Sequence, residues 1–241
     1  MGKEQPQVFL LHFAGGNCYS FNFLRPYFLR SEFHALELPG RGKRMAEPLL
    51  NDLNEAVHDQ CSQLLQRRRA GMPFVIYGHS MGAVLALKVA VLLEQQGCPP
   101  ASIVVSGNAG PGVHSASKAY SMSREEFRAD LVKMEGFPKD FFQVEELYDL
   151  YEPIIRADFH LAGCDAFSEG GQVNVPIHCF MGTREKFVGQ IENWRWFTSA
   201  TFTPELLEGG HFFIYQHALR ISTVIEEQLA GARPAYKFFA R

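Results

Sequence analysis

Between Phe74 and Leu87 the chain reads Phe-Val-Ile-Tyr-Gly-His-Ser-Met-Gly-Ala-Val-Leu-Ala-Leu. A four-residue apolar run enters Gly78-His79-Ser80-Met81-Gly82, and a longer apolar run leaves it. No other stretch narrows the possible folds so far. It reads as a buried strand turning sharply into a buried helix, the central unit of a parallel sheet. The two glycines leave room for strand and helix to approach closely, and they hold Ser80 out on a tight turn. A serine hydroxyl is a weak nucleophile until a base takes its proton, so the turn raises the question of that base. The other reading of Ser80 is a structural turn residue.

The rest of the chain fits a sheet around this unit. Segments 8–11, 33–38, 103–105 and 177–181 read as strands beside 74–77, and 205–207 ends a sixth. Helical spacing marks 53–66, with Asn51 or Asp52 as N-cap, and also 83–94 and 218–229. A short helix is expected over 21–29. Strands alternating with helices imply an α/β fold, a mostly parallel sheet with helices on both faces, as one domain over 1–241. Roughly seventy residues between the fourth and fifth strands lack a clear strand, more than a compact domain leaves structureless. Within them 123–134 and 144–161 look helical and carry Phe127, Phe137, Phe141, Phe142, Tyr148, Tyr151 and Phe159. We expect 112–165 to form a helical lid over the C-terminal edge of the sheet, where open α/β sheets bind ligands. An ordinary crossover with extra helices is the alternative.

The base for Ser80 is expected on the last sheet-to-helix loop, where Gly209-Gly210-His211 follows a strand end. His211 is therefore the candidate. His217 reads as a surface or capping residue, His79 as a packed one, and His12 as a residue shaping the first glycine-containing loop. The acid that orients the base belongs on the loop after the fifth strand, where Glu185 is the only carboxylate. Its neighbours Arg184 and Lys186 also allow a plain surface-charge reading, and Asp158, Asp165 and Glu192 are fallbacks. Two backbone N–H groups must face the developing oxyanion. Met81, just after the serine, should give one, and Ala14, in the first glycine-rich loop, the other.

Composition removes other classes. A net charge of −3 leaves no global basic field for nucleic acid, and Arg67-Arg68-Arg69 reads as a solvated helix end. Five scattered cysteines without a CxxC pair argue against a disulfide framework and against a zinc or other metal site, and fit a reducing cytoplasm. The first residues lack the apolar core and cleavage site of a secretory leader. No apolar run approaches the roughly 18 to 20 residues of a membrane span, so no membrane association is expected.

Five motifs then point to a family. His12-Phe13-Ala14-Gly15-Gly16, Leu38-Pro39-Gly40-Arg41-Gly42, Gly78-His79-Ser80-Met81-Gly82, Pro153-Ile154-Ile155-Arg156-Ala157-Asp158-Phe159 and Gly209-Gly210-His211-Phe212-Phe213 stand in order along nearly the whole chain. The set resembles the type II thioesterases, stand-alone α/β-hydrolases that accompany non-ribosomal peptide and polyketide synthases, with a relative in vertebrate fatty-acid synthesis. The resemblance implies an α/β-hydrolase fold that clears acyl groups from the phosphopantetheine arm of carrier proteins. By position it makes Ser80 the nucleophile, His211 the base, and Ala14 and Met81 the oxyanion donors, with no cofactor and a monomeric state. The chain departs from the family's pattern at Glu185, where Asp is usual. Arg41, Lys43 and Arg44, after the second strand, are candidates for meeting an acidic carrier or the phosphate of its arm, or else a solvated loop. Asp158 and Arg156 are expected to pair within the insertion. Competing readings are a general carboxylesterase or lipase, an acyltransferase, and a non-catalytic synthase subunit.

Overall fold

The computed structural model describes residues 5–113, 119–134, 136–137, 140–163 and 171–232. Among the described residues six strands run β1 (Gln7–Leu11), β2 (Glu32–Ala35), β3 (Phe74–His79), β4 (Ser102–Ser106), β5 (Ile177–Gly182) and β6 (Phe202–Leu207). They pair in the order β2-β1-β3-β4-β5-β6, and every pair is parallel. Among the described residues five α-helices accompany them: α1 (Leu53–Arg67), α2 (Met81–Gln95), α3 (Arg124–Lys133), α4 (Glu145–Gly163) and α5 (Ala218–Gly231). All C-terminal strand ends lie on one edge, where Leu11 pairs with Gly78, His79 with Ser106 and Gly182 with Leu207.

Every residue of β1, β3, β4 and β5 is buried, as a sheet covered on both faces requires. Alternate side chains divide between the two faces. Phe9, Leu11, Ile76, Ile103 and Val105 join the core beneath α1 and α2. Val8, Leu10, Val75, Tyr77 and Val104 join the core beneath α5. Asp52 caps α1 by accepting the Glu55 N–H at 2.9 Å, so the N-cap is Asp52 rather than Asn51.

Two expected elements differ. No α-helix spans 21–29: the backbone there closes three-residue turns, among them Leu24 N–H to Phe21 O and Tyr27 N–H to Leu24 O, and only Arg25–Tyr27 is a 3₁₀ turn. Pro26 has no N–H to donate to a helical ladder. The second strand ends at Ala35, not Leu38. Its neighbour β1 stops at Leu11, so the Leu36 N–H makes the last contact, to Leu10 O at 2.9 Å.

Between β4 and β5 the chain forms α3 and α4 with their own small core, including Phe127, Leu131, Phe141, Tyr148 and Ile155. A capping box of Ser123 and Glu126 starts α3. Arg156 pairs with Glu152 at 2.8 Å and donates to the carbonyls of Tyr120 and Met122 at 3.0 and 2.9 Å, as expected of a pairing internal to the insertion. Of the proposed 112–165 segment, residues 114–118, 135, 138–139, Cys164 and Asp165 lie outside the described residues. The described cysteines, Cys18, Cys61, Cys98 and Cys179, are free thiols. No helix among the described residues is long and apolar enough to cross a membrane.

Candidate active site

Ser80 is the only non-glycine among the described residues with a positive φ, at φ +56° and ψ −116°. Such a backbone is held only where its surroundings force it. Here the force is close packing. A Cβ on Gly78 would lie 2.0 Å from the Gly82 carbonyl oxygen, and one on Gly82 would lie 2.0 Å from that of Leu11. Strand, turn and helix can approach this closely only with glycine at both places. The helix α2 begins at Met81, two residues before the apolar pattern does, so Ser80 sits at its positive end.

His211 arrives on the loop after β6 and Glu185 on the loop after β5. The Ser80 Oγ lies 3.0 Å from His211 Nε2, and the Glu185 Oε2 lies 3.0 Å from His211 Nδ1. An ionised carboxylate can only accept, so Nδ1 carries the proton and Nε2 is free to accept the serine's. The Glu185 side chain is 8% exposed, and its Oε1 accepts the Gly182 N–H at 2.9 Å. The two loops are stitched together by Arg184 N–H to Gly209 O at 2.9 Å and Thr183 N–H to Leu207 O at 2.8 Å. Glu192, a fallback acid, pairs with Arg195 at the surface instead, and Asp165 is not among the described residues.

The other histidines stand apart from this relay. His79 is fully buried against His211, ring centroids 5.0 Å apart, with Nδ1 2.9 Å from Ser106 Oγ. Burial, helped by the neighbouring His211, pushes its pKa well below the usual histidine range, so it stays neutral. Burial and then Arg41 bring His12 down to about 4, and its Nδ1 donates to Phe13 O at 2.9 Å. His217 Nε2 contacts Glu208 O at 2.8 Å, at the start of α5.

Phe13, Ala14, Gly15 and Gly16 form a turn closed by Gly16 N–H to Phe13 O at 2.9 Å. Gly15 sits at φ +74°, which the third position of a type II turn demands. The N–H groups of Ala14 and Met81 have no acceptor among the described residues. A cavity of about 630 Å³ opens between this turn, Ser80, His211 and the insertion. Phe137, Phe141, Tyr151 and Phe159 line it from the insertion side, Phe13 and Phe212 from the sheet side. The insertion's aromatics thus divide, since Phe127 and Tyr148 are spent on its own core.

The three candidate carrier-binding cations do not share one fate. Arg41 must be corrected: its side chain is 3% exposed and its Nη1 lies 2.5 Å from Asp158 Oδ2, so it cannot meet a carrier. Arg44 is half-buried and engaged by Asp59 at 2.8 Å, by Glu47 and by the Glu37 carbonyl. Lys43 alone stays at the surface, its Nζ 5.7 Å from the Tyr19 ring centroid. Asp158 is also corrected, because its partners, Arg41 and the Gly15 N–H, lie outside the insertion. Periodicity gives no sign of such a pairing across 117 positions. The one available hint was a carboxylate on an otherwise apolar helix face. Among the described residues no group of three or more His, Cys, Asp or Glu side chains is placed to hold a metal ion.

The thioesterase domain family model matches residues 6–229. The human protein named S-acyl fatty acid synthase thioesterase, medium chain, is 33% identical over 194 residues, spanning 78% of this chain and 72% of that one. The gramicidin S biosynthesis protein GrsT of Aneurinibacillus migulanus is 28% identical over 228 residues, 92% of this chain and 88% of that one. The solved structure of the type II thioesterase BorB, from the borrelidin biosynthetic cluster, superposes with a TM-score of 0.85 at 29% identity, covering 94% of each chain. Sheet order, serine turn and family match agree, and the chain belongs to the thioesterase family of the α/β-hydrolase fold.

Proposed function

We propose that this enzyme hydrolyses acyl thioesters carried on the phosphopantetheine arm of acyl or peptidyl carrier proteins, through an acyl-Ser80 intermediate. The observation that carries the mechanism is the Ser80–His211–Glu185 relay opening into an aromatic cavity. The Ser80 Oγ attacks the thioester carbonyl carbon while His211 Nε2 takes its proton. The oxyanion that forms is held by the N–H groups of Ala14 and Met81. The carbon–sulfur bond breaks, and the thiol leaves with the proton from His211. A water, activated by His211, then attacks the acyl-serine, releasing the carboxylic acid and restoring Ser80. Glu185 holds the imidazole in its tautomer and stabilises the imidazolium. No cofactor enters these steps.

The carrier-protein partner is supported by relatives whose names place them in gramicidin S and borrelidin biosynthesis. In that setting the role is clearing wrong or stalled acyl groups from a synthase. We read the enzyme as a cytoplasmic monomer with the α3–α4 insertion as its lid and Lys43 near the carrier's path. A second reading, release of medium-length acyl chains from a fatty-acid carrier, is favoured by the 33% identity to the human relative and by the size of the cavity. Both readings share the chemistry. The test is the ratio of turnover on an acylated carrier protein to turnover on the matching p-nitrophenyl ester. A ratio well above one supports the carrier reading. A ratio far below one supports an esterase of free small esters.

A further inference from the structure

Three separate parts of the chain meet at one oxygen. Asp158 Oδ2, from α4, accepts the Gly15 N–H at 2.8 Å and lies 2.5 Å from Arg41 Nη1. Neither charged side chain reaches solvent, at 0% and 3% exposure. One turn earlier on the same face of α4, Ile155 packs on the same turn: a Cβ on Gly15 would lie 3.3 Å from its Cγ1. A buried ion pair adds little net stability over apolar packing of the same shape, because both charges lose their water. Stability alone is a poor reason for this one.

The backbone it grips supplies a better reason. Around the turn the Gly16 N–H goes to Phe13 O, the Asn17 N–H to Ser20 Oγ and the Gly15 N–H to Asp158. From Ala14 to Asn17, the Ala14 N–H alone has no acceptor among the described residues. Phe13 O is held twice, by Gly16 N–H and by His12 Nδ1–H, both at 2.9 Å. In a trans peptide the C=O and the next N–H point opposite ways, so fixing Phe13 O turns the Ala14 N–H away from His12. The following peptide plane is fixed by Asp158 through the Gly15 N–H. Without that second hold only the bonds to Phe13 O keep the turn, and the Ala14 donor is held less firmly.

We infer that Asp158, balanced by Arg41, is a positioning residue for the oxyanion turn, and that it makes this part of α4 a fixed wall of the site. The inference rests on the thioesterase reading, since it needs an oxyanion for the turn to serve. Two double variants test it by steady-state turnover of an acyl-pantetheine thioester. R41M/D158L replaces both charges by apolar side chains and drops the Gly15 acceptor. It is expected to melt near the wild type while kcat falls about 10- to 100-fold and KM moves less than about threefold. R41Q/D158N also removes the charges but keeps an oxygen for the Gly15 N–H, and is expected to recover most of the loss. Wild-type kcat in a folded R41M/D158L, or no recovery in a folded R41Q/D158N, overturns the inference. Hydrogen exchange of the wild-type Gly15 amide gives a reading that needs no variant: protection is expected, and exchange at a free-loop rate overturns it. A wild type inactive on every thioester defeats the thioesterase reading itself. An active wild type with an equally active R41M/D158L defeats only the role of Asp158.

Discussion

Glu185 holds His211 with one oxygen and its own loop with the other: Oε2 lies 3.0 Å from His211 Nδ1, and Oε1 takes the Gly182 N–H at 2.9 Å. The backbone anchor removes freedom that the extra methylene of a glutamate would otherwise bring. Glu185→Gln keeps the shape but no longer offers a charge to the imidazolium, and its amide can present a donor to Nδ1. We expect kcat to fall by about 10³ to 10⁴. Glu185→Asp cannot span both contacts and should lose roughly tenfold, on the scale of a misplaced catalytic group. Turnover of an acyl-pantetheine thioester, with Ser80 labelling by a fluorophosphonate as a second readout, checks both.

Gly82→Ala should be among the most damaging single methyl additions. The new carbon would meet the Leu11 carbonyl at 2.0 Å, and backbone on both sides leaves little to give way. A loss of about 3 kcal/mol or more is expected from overpacking at such a contact. Gly189→Ala is the control, because a Cβ there meets nothing within 4 Å. Urea midpoints of the two variants give the comparison, and an unchanged midpoint for Gly82→Ala would contradict the packing account.

Buried neutral histidines make stability fall in mild acid. His12 drops to about 4 in the folded protein, held there by burial and Arg41, against an ordinary value near 6.5. Between these values the unfolded chain binds a proton that the folded chain refuses, so stability rises with pH. The contribution is fully present above about pH 6.5 and is lost as pH falls toward 4, about 3 kcal/mol in all. His79 acts with the same sign. Urea unfolding at pH 7, 5.5 and 4.5 should show the decline, and His12→Gln should flatten it.

The cavity wall should sort acyl chains by length. Tyr151 and Phe159 line it, while Phe127 stays in the insertion's own core. Tyr151→Ala should raise KM for an octanoyl thioester by roughly tenfold, the loss of part of an aromatic contact. An acetyl thioester, which does not reach the wall, should be unaffected. Equal effects on both chains would place the acyl group elsewhere.

The elements readable in advance were those with a local cause. The serine turn shows in the chain because its two glycines are forced by two close contacts, Gly78 against Gly82 and Gly82 against Leu11, between two apolar runs. The four central strands, β1, β3, β4 and β5, followed from mostly apolar runs, which a sheet covered on both faces requires. His211 and Glu185 could be picked out because each stands on a loop that the sheet's edge must present. What stayed hidden has no local trace. The short β2 is set by where its neighbour β1 stops, and the lost helix at 21–29 by one proline. Arg41 reads as a loop cation until Asp158, 117 positions away, is brought beneath it. Charge near a sheet edge suggests a docking surface, and only the fold tells that this one is buried.

The most direct test of the account is intact-protein mass spectrometry of a hexanoyl-phosphopantetheinyl carrier protein incubated with wild type or Ser80→Ala. The account predicts that wild type returns the carrier to its free thiol and that Ser80→Ala leaves it loaded. A brief quench of the wild-type reaction should also show the acyl mass on Ser80. A carrier that stays loaded with wild type, or is cleared equally by Ser80→Ala, would contradict thioester hydrolysis through this serine.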